Sequence, residues 1–242
     1  MDKTLIVGDI HGDYRNMLNL LQKVGATTGD KYATERAEGW RLIQIGDLVH
    51  CGKPRGKDFP GVDDVLCLEY GLELFDDLLI GNHELPFLYP RSQFEAFHGS
   101  LRYGEILNKL YENRQRFTPA TAAHGYLVTH AGWAYNSDKE RPAEEHAEVL
   151  CDRFYERVDT TRPVPVFDAI GHMRGGFGDH GGIFWCDWSE LKSNIPQIVG
   201  HSPGKEVRQK GQHWCVDVGA ALSKRVCGLL HDGEKWEPVY FP

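Results

Sequence analysis

Apolar residues in this chain come in short runs that stop abruptly at a polar side chain, usually just after a glycine. "KTLIV" (3–7) gives way to Gly8 and Asp9, "WRLIQI" (40–45) to Gly46 and Asp47, "DLLI" (77–80) to Gly81 and Asn82, and "YLVT" (126–129) to His130. Runs of this length with many branched aliphatic residues predict buried strands. Between them the period changes. "DYRNMLNLLQKV" puts Leu18, Leu21 and Val24 at helical spacing, with Asp13 placed to cap the N-terminus. Helices are also expected in "VDDVLCLEYGLELF", across 91–116 with Leu101, Ile106, Leu107 and Leu110 inward, and in "PAEEHAEVLCDRFYERV". The last of these opens with proline in its first turn and acidic residues that suit the helix dipole.

The segment "GHMRGGFGDHGG" (171–182) is too rich in glycine for a regular element and reads as a loop. Beyond it, "PQIVGH", "HWCVDVG", "RVCGLLH" and "WEPVY" read as strands of an antiparallel portion, and "IFWCDWSEL" places Trp185 and Trp188 on a strand or its edge. The pattern as a whole is α/β, with strands that deliver polar residues at their C-terminal ends, where open α/β sheets hold ligands.

Composition narrows the function. A chain of 242 residues with 41% hydrophobic content is expected to form a single domain spanning 1–242. A formal charge of -8 argues against broad binding to nucleic acid or to an anionic membrane. No apolar run approaches the roughly 20 residues of a membrane helix, and Met1 leads straight into charge rather than a signal-peptide pattern, so the expected location is cytoplasmic. The six cysteines form no CxxC pair, so neither a zinc knuckle nor a disulfide framework is indicated.

The chemistry lies at the strand ends: Asp9, His11, Asp47, Asn82, His83, His130 and His201. Asp9 and His11 are two positions apart, a spacing that lets both side chains reach one small object. Imidazole nitrogens mixed with carboxylate and amide oxygens suit divalent first-row metals, manganese first, with iron, zinc, cobalt or nickel as alternatives; calcium would want oxygen throughout. The expected division puts Asp9, His11 and Asp47 on one ion and Asp47, Asn82, His130 and His201 on a second. Two ions about 3.5–4 Å apart clamp a phosphate and lower the pKa of a bridging water, which then attacks in line as hydroxide. His83, next to Asn82, is placed to protonate the leaving oxygen.

The blocks "GDIHG" (8–12), "GDLVHCG" (46–52), "GNHE" (81–84), "THAG" (129–132) and "GHSP" (200–203) resemble, in order, the motifs of calcineurin-like metallophosphoesterases. Within that superfamily the chain looks most like small bacterial and phage serine/threonine-type phosphatases and symmetrical diadenosine tetraphosphatases. The resemblance implies two mixed β-sheets packed as a sandwich and flanked by helices, and a dinuclear site divided as above. It also implies that a small anionic phosphate substrate or a phosphopeptide is the partner.

The match has gaps. The family's second block carries an aspartate that orients the catalytic histidine and an arginine that grips phosphate; here His50 and Cys51 stand there. His50 is expected to pair with His83 as a neutral acceptor, and Cys51, at the pocket rim, is a candidate for redox control. Ile80 replaces a further arginine, which favours phosphodiester- or pyrophosphate-type substrates over a phosphomonoester; the alternative is a guanidinium supplied from elsewhere, by Arg174 in the glycine-rich loop or by Arg102. Pro203 stands where related families have an extra histidine ligand. Phosphomonoesterase, phosphodiesterase and dinucleoside polyphosphate hydrolase activities all stay open, and the alternative is a metal-retaining binding or regulatory module with little turnover. His98, His124, His146 and His231 are read as structural, and most tryptophans as packing residues, with Trp133 or Trp188 as candidates to stack on a substrate ring.

Overall fold

The computed structural model describes residues 3–30, 33–49, 63–89, 102–134, 141–160, 163–223 and 225–241. His50, Cys51 and His98, with residues 91–101 of the helix expected across 91–116, lie outside them. Strands β1 (Lys3–Val7), β4 (Trp40–Gln44), β5 (Asp77–Leu79) and β6 (Phe117–Thr118) run parallel; β12 (Val226–His231) and β13 (Trp236–Phe241) complete this sheet in the order β13-β12-β1-β4-β5-β6. Between β1 and β4 the chain makes a small hairpin, β2 (Thr27–Asp30) and β3 (Ala33–Arg36). A second sheet has the order β10-β11-β9-β8-β7, from β7 (Ala120–Ala123), β8 (Tyr126–Thr129), β9 (Gln197–Val199), β10 (Arg208–Lys210) and β11 (His213–Cys215).

Alternation along the strands explains the layers. Leu5, Val7 and Leu42 face a helix-side core, while Ile6 and Ile43 turn to the other side and meet Val128 and Ile198 of the second sheet. The two sheets thus share one apolar layer, and the outer face of the first is covered by α1 (Tyr14–Val24) and α2 (Asp64–Leu74). The cap expected at Asp13 is present, with its carboxylate accepting from the Asn16 N–H, and Gly25 ends α1 in the left-handed region at φ 78°. Short α3 (Leu85–Leu88) and longer α4 (Tyr103–Glu112) follow β5. Helix α5 (Ala143–Thr160) packs on β7 and β8 through Ala147, Leu150 and Phe154, ahead of the short α6 (Pro165–Asp168) and α7 (Ala220–Ser223). No helix among the described residues is long and apolar enough to cross a membrane.

Two expectations need correction. The C-terminal third is not simply antiparallel: β12–β13 and β10–β11 are, but β9 runs parallel to both β8 and β11. Trp185 and Trp188 lie in turns rather than on a strand, because the local backbone bonds close over three or four residues, such as Trp185 N–H to Gly182 O and Glu190 N–H to Asp187 O.

Candidate metal centre

The parallel arrangement brings the C-terminal ends of β1, β4 and β5 together, and those of β8 and β9 beside them. The loops leaving these ends are stitched to one another. Ile10 and His11 both donate their backbone N–H to Asp47 O, at 3.0 and 2.9 Å. His83 N–H donates to Asp47 Oδ1 at 3.1 Å, and His201 N–H is shared by the two oxygens of Asp9 at 3.2 and 3.1 Å.

The glycines ahead of the polar residues have a steric reason. A Cβ at Gly81 would lie 2.2 Å from Asp47 Oδ1, and one at Gly200 would lie 2.2 Å from Asp9 Oδ1. The side chains converge only because the backbone beside them is bare. His11, Asp47 and His201 themselves adopt positive φ, at 49°, 54° and 66°. L-residues with a Cβ rarely sit there, and held in that region they mark sites where geometry outweighs local preference.

Asp47 is the hub. Its carboxylate is 3.6 Å from His11 Nε2, 3.8 Å from His83 Nε2 and 3.5 Å from His130 Nε2. Two trios whose donor atoms lie within 4.8 Å of one another share it: His11, Asp47 and His83, and Asp47, His130 and His201. Asn82 joins the second, with its Oδ1 at 3.0 Å from His130 Nε2 and 2.8 Å from His201 Nδ1. Asp9 is buried beside the cluster, but the side chain that converges with His11 and Asp47 is His83, which is 20% exposed and edge-on to the His11 ring.

The donor set fits a cation. Ile45 O can only accept, so His130 Nδ1 donates to it at 3.1 Å and the lone pair of Nε2 faces Asn82 Oδ1 and Asp47 Oδ1. Burial pushes the His130 pKa down to about 3 and holds His201 well below its usual value, so both imidazoles are neutral. Burial raises the pKa of Asp9 and Asp47 well above the carboxylate range, and the nearby Asp217 charge adds to both. His201 Nε2 is buried without a hydrogen-bond partner. Electron pairs gathered in a dry place, with acids that repel one another, are relieved by a divalent ion.

Two residues without a role in the motif reading emerge here. Glu84 is fully buried and accepts three backbone N–H groups, from Asp47 and Gly81 at 2.9 Å and from Val49 at 3.0 Å. It ties the turn after β5 to the turn after β4, and burial followed by the Asp47 charge raises its pKa to about 7. Asp217, 3% exposed, accepts the Gly219 N–H at 2.7 Å and lies within electrostatic reach of Asp9, Asp47 and His11. Glu84 ends the "GNHE" block, ahead of the apolar Leu85, and Asp217 stands between two valines in "CVDVGA"; an acid next to apolar residues was the available signal.

Of the candidate substrate arginines, Arg102 is engaged elsewhere, between Asp63 at 3.0 Å and Glu105 at 2.6 Å. Arg174 does reach the centre's edge. Its Nη2 donates to His201 O at 3.0 Å and to Ser202 Oγ at 2.8 Å, it pairs with Asp187 at 3.1 Å, and its Nε is buried without a partner. Ile80 is buried among apolar side chains. Trp133 is packed edge-on to His146, with its backbone held by Gln197, whereas Trp188 lies under the Arg208 guanidinium.

Comparison with known proteins agrees with this geometry. The family model of calcineurin-like phosphoesterases matches residues 3–218, and the chain belongs to that family. By class it is a metal-dependent phosphohydrolase. Three solved structures share the fold at 17% identity. A protein provisionally assigned as a diadenosine tetraphosphatase aligns at TM-score 0.55, covering 99% of this chain and 93% of that one. A cold-active protein tyrosine phosphatase aligns at 0.63, covering 98% and 76%. A protein serine/threonine phosphatase from Saccharomyces cerevisiae, with similarity to human phosphatase PP5, aligns at 0.58, covering 99% and 79%. Among curated proteins no match is found.

Proposed function

We propose that the chain hydrolyses a phosphate ester or phosphoanhydride at a centre of two divalent ions, with manganese the first ion to test. The observation that carries this reading is the convergence on one carboxylate, Asp47, of His11 on one side and of His130 and His201 on the other. His11, Asp47 and Asp9 would hold one ion, and Asp47, Asn82, His130 and His201 the other. When bound, such ions supply positive charge to phosphoryl oxygens and lower the pKa of a bound water.

The chain's own groups do the rest. His130, locked by Ile45 O, presents a lone pair and cannot rotate. His83, at the exposed side of the cluster, carries the proton for the departing oxygen on its ring, with His50 as its expected partner. Arg174 offers its Nη1 hydrogens to a phosphoryl oxygen, in place of the guanidinium absent at Cys51 and Ile80.

The test is hydrolysis of p-nitrophenyl phosphate, bis-p-nitrophenyl phosphate and diadenosine tetraphosphate with added Mn, comparing wild type with Asp47→Asn. Turnover by the wild type alone supports the reading, and the preferred substrate shows which ester class the altered arginine positions favour. Wild-type protein that binds Mn yet turns over none of the three would instead be a metal-retaining binding or regulatory module.

A further inference from the structure

The glycine-rich loop that carries Arg174 is closed by backbone hydrogen bonds of its own, such as His172 N–H to Gly178 O and Gly178 N–H to Ile170 O, and is tied to the following turn by one carboxylate. Glu190 Oε1 accepts the Met173 N–H at 2.9 Å, while Oε2 accepts those of Gly181 at 3.1 Å and Asp187 at 3.2 Å. Met173 is the residue before Arg174, and Asp187 is Arg174's own counter-ion. The seat is made to measure: a Cβ on Gly171 would come within 2.2 Å of the carboxylate. Asp187 is held in turn by Ser189, whose N–H and Oγ donate to Oδ1 at 2.9 and 2.7 Å, leaving Oδ2 for Arg174. The same turn presents the Trp188 N–H to Ser202 Oγ at 2.9 Å, the hydroxyl that also accepts from Arg174.

Of the three groups that hold Arg174 Nη2, Asp187 lies in the turn that Glu190 organises and Ser202 Oγ accepts from that turn through the Trp188 N–H, while His201 O lies outside it. From these contacts we infer that Glu190 is a positioning residue for phosphate recognition, acting through Arg174 rather than touching substrate itself. This rests on the reading of Arg174 as the substrate-binding arginine. Its physical basis is that a guanidinium gives its full directional benefit only when its rotamer is preset, so that binding does not have to order it. The acceptors of Arg174, His201 O, Ser202 Oγ and Asp187 Oδ2, all gather at Nη2, which leaves the Nη1 hydrogens for an oxyanion.

Glu190→Gln keeps the size of the side chain. Whichever way its amide is turned, the NH2 meets at least one backbone N–H donor to donor. The expected result is a KM for p-nitrophenyl phosphate, and a Kd for inorganic phosphate by calorimetry, raised about five- to twentyfold with kcat changed less than about twofold. In an Arg174→Ala background the same substitution should add nothing further, since the group it positions is gone. Gly171→Ala, which displaces the carboxylate from the other side, should reproduce the KM effect, and thermal unfolding of each variant checks that it folds. Unchanged KM and phosphate Kd in folded Glu190→Gln and Gly171→Ala, with Arg174→Ala impaired, would overturn the positioning role and leave the arginine reading intact. Effects of Glu190→Gln and Arg174→Ala that multiply would also overturn it, because they would act separately. If Arg174→Ala itself leaves KM and phosphate Kd unchanged, the arginine reading fails and the inference with it.

Discussion

Two groups of histidines sit in different parts of this molecule, and they differ in what surrounds them. At the strand ends, His11, His83, His130 and His201 gather around the Asp47 carboxylate and Asn82 Oδ1, with lone pairs turned inward. At the other group, His124 in the turn between β7 and β8 stacks on His231 at 3.7 Å between centroids, and Trp236 lies edge-on to both. There each imidazole is already satisfied: His124 Nε2 bonds Thr4 Oγ1 at 2.9 Å and His231 Nδ1 accepts the Gly233 N–H. Both groups bridge the two sheets. The first does so with acceptors facing one another, which needs a cation; the second with rings and closed hydrogen bonds, which does not. A histidine becomes a ligand candidate through the carboxylates that converge with it, not through burial or clustering alone.

The sharpest way to break the comparison is to add metal. A divalent ion at 100 times its Kd should stabilise the fold by about 2.7 kcal/mol, a rise in Tm of roughly 5–10 °C for a chain of this size. Asp47→Asn should lose most of that shift, while His124→Ala should keep it. An equal metal response in the Asp47 variant, followed by calorimetry or thermal unfolding, would detach the ion from the cluster.

Glu84 gives the next effect. Glu84→Gln should weaken metal binding about 10- to 100-fold, since second-layer groups around ligands carry that weight. The amide can no longer accept N–H groups with both ends, and the Asp47 turn loses part of its support. Metal titration by calorimetry reads this directly, and an unchanged affinity would reduce Glu84 to a packing role.

His124 should also respond to pH. Burial, then the neighbouring His231 and Arg41, lowers the His124 pKa below 6.5. The unfolded chain therefore takes up this proton first on acidification, so stability is lost as pH falls below about 6.5. His124→Asn, which tolerates positive φ at this turn, should flatten the acid limb of a Tm-against-pH curve without altering turnover. The smallest effect belongs to Arg102→Ala: its exposed, solvent-screened pairs with Asp63 and Glu105 predict little loss of stability and no change in KM, in contrast to Arg174→Ala.

Much of the centre was legible before any coordinates. The polar residues read at the strand ends include all those of both trios, although His83 was read there as the proton donor and Asp9 as the ligand beside His11 and Asp47. The small glycines of "GNHE" and "VGH" were visible too, though their reason, the carboxylates 2.2 Å away from a would-be Cβ, was not. Which histidine would stand with His11 and Asp47 depended on the turn after β5, whose His83 backbone bond to Asp47 spans 36 residues. Glu84, Glu190 and Asp217 were likewise hidden, since their partners are backbone groups and charges brought close only by folding. The same holds for the arginines: sequence put Arg174 ahead of Arg102 without a contact to decide it, and the bonds of Arg174 to His201 O and Ser202 Oγ separate them. Local pattern determined the strands, their polar ends and the kind of chemistry, because those follow from periodicity and residue type. Contacts across the two sheets decided which electron pairs face one another and which cation is spare, because those depend on distances that no linear spacing encodes.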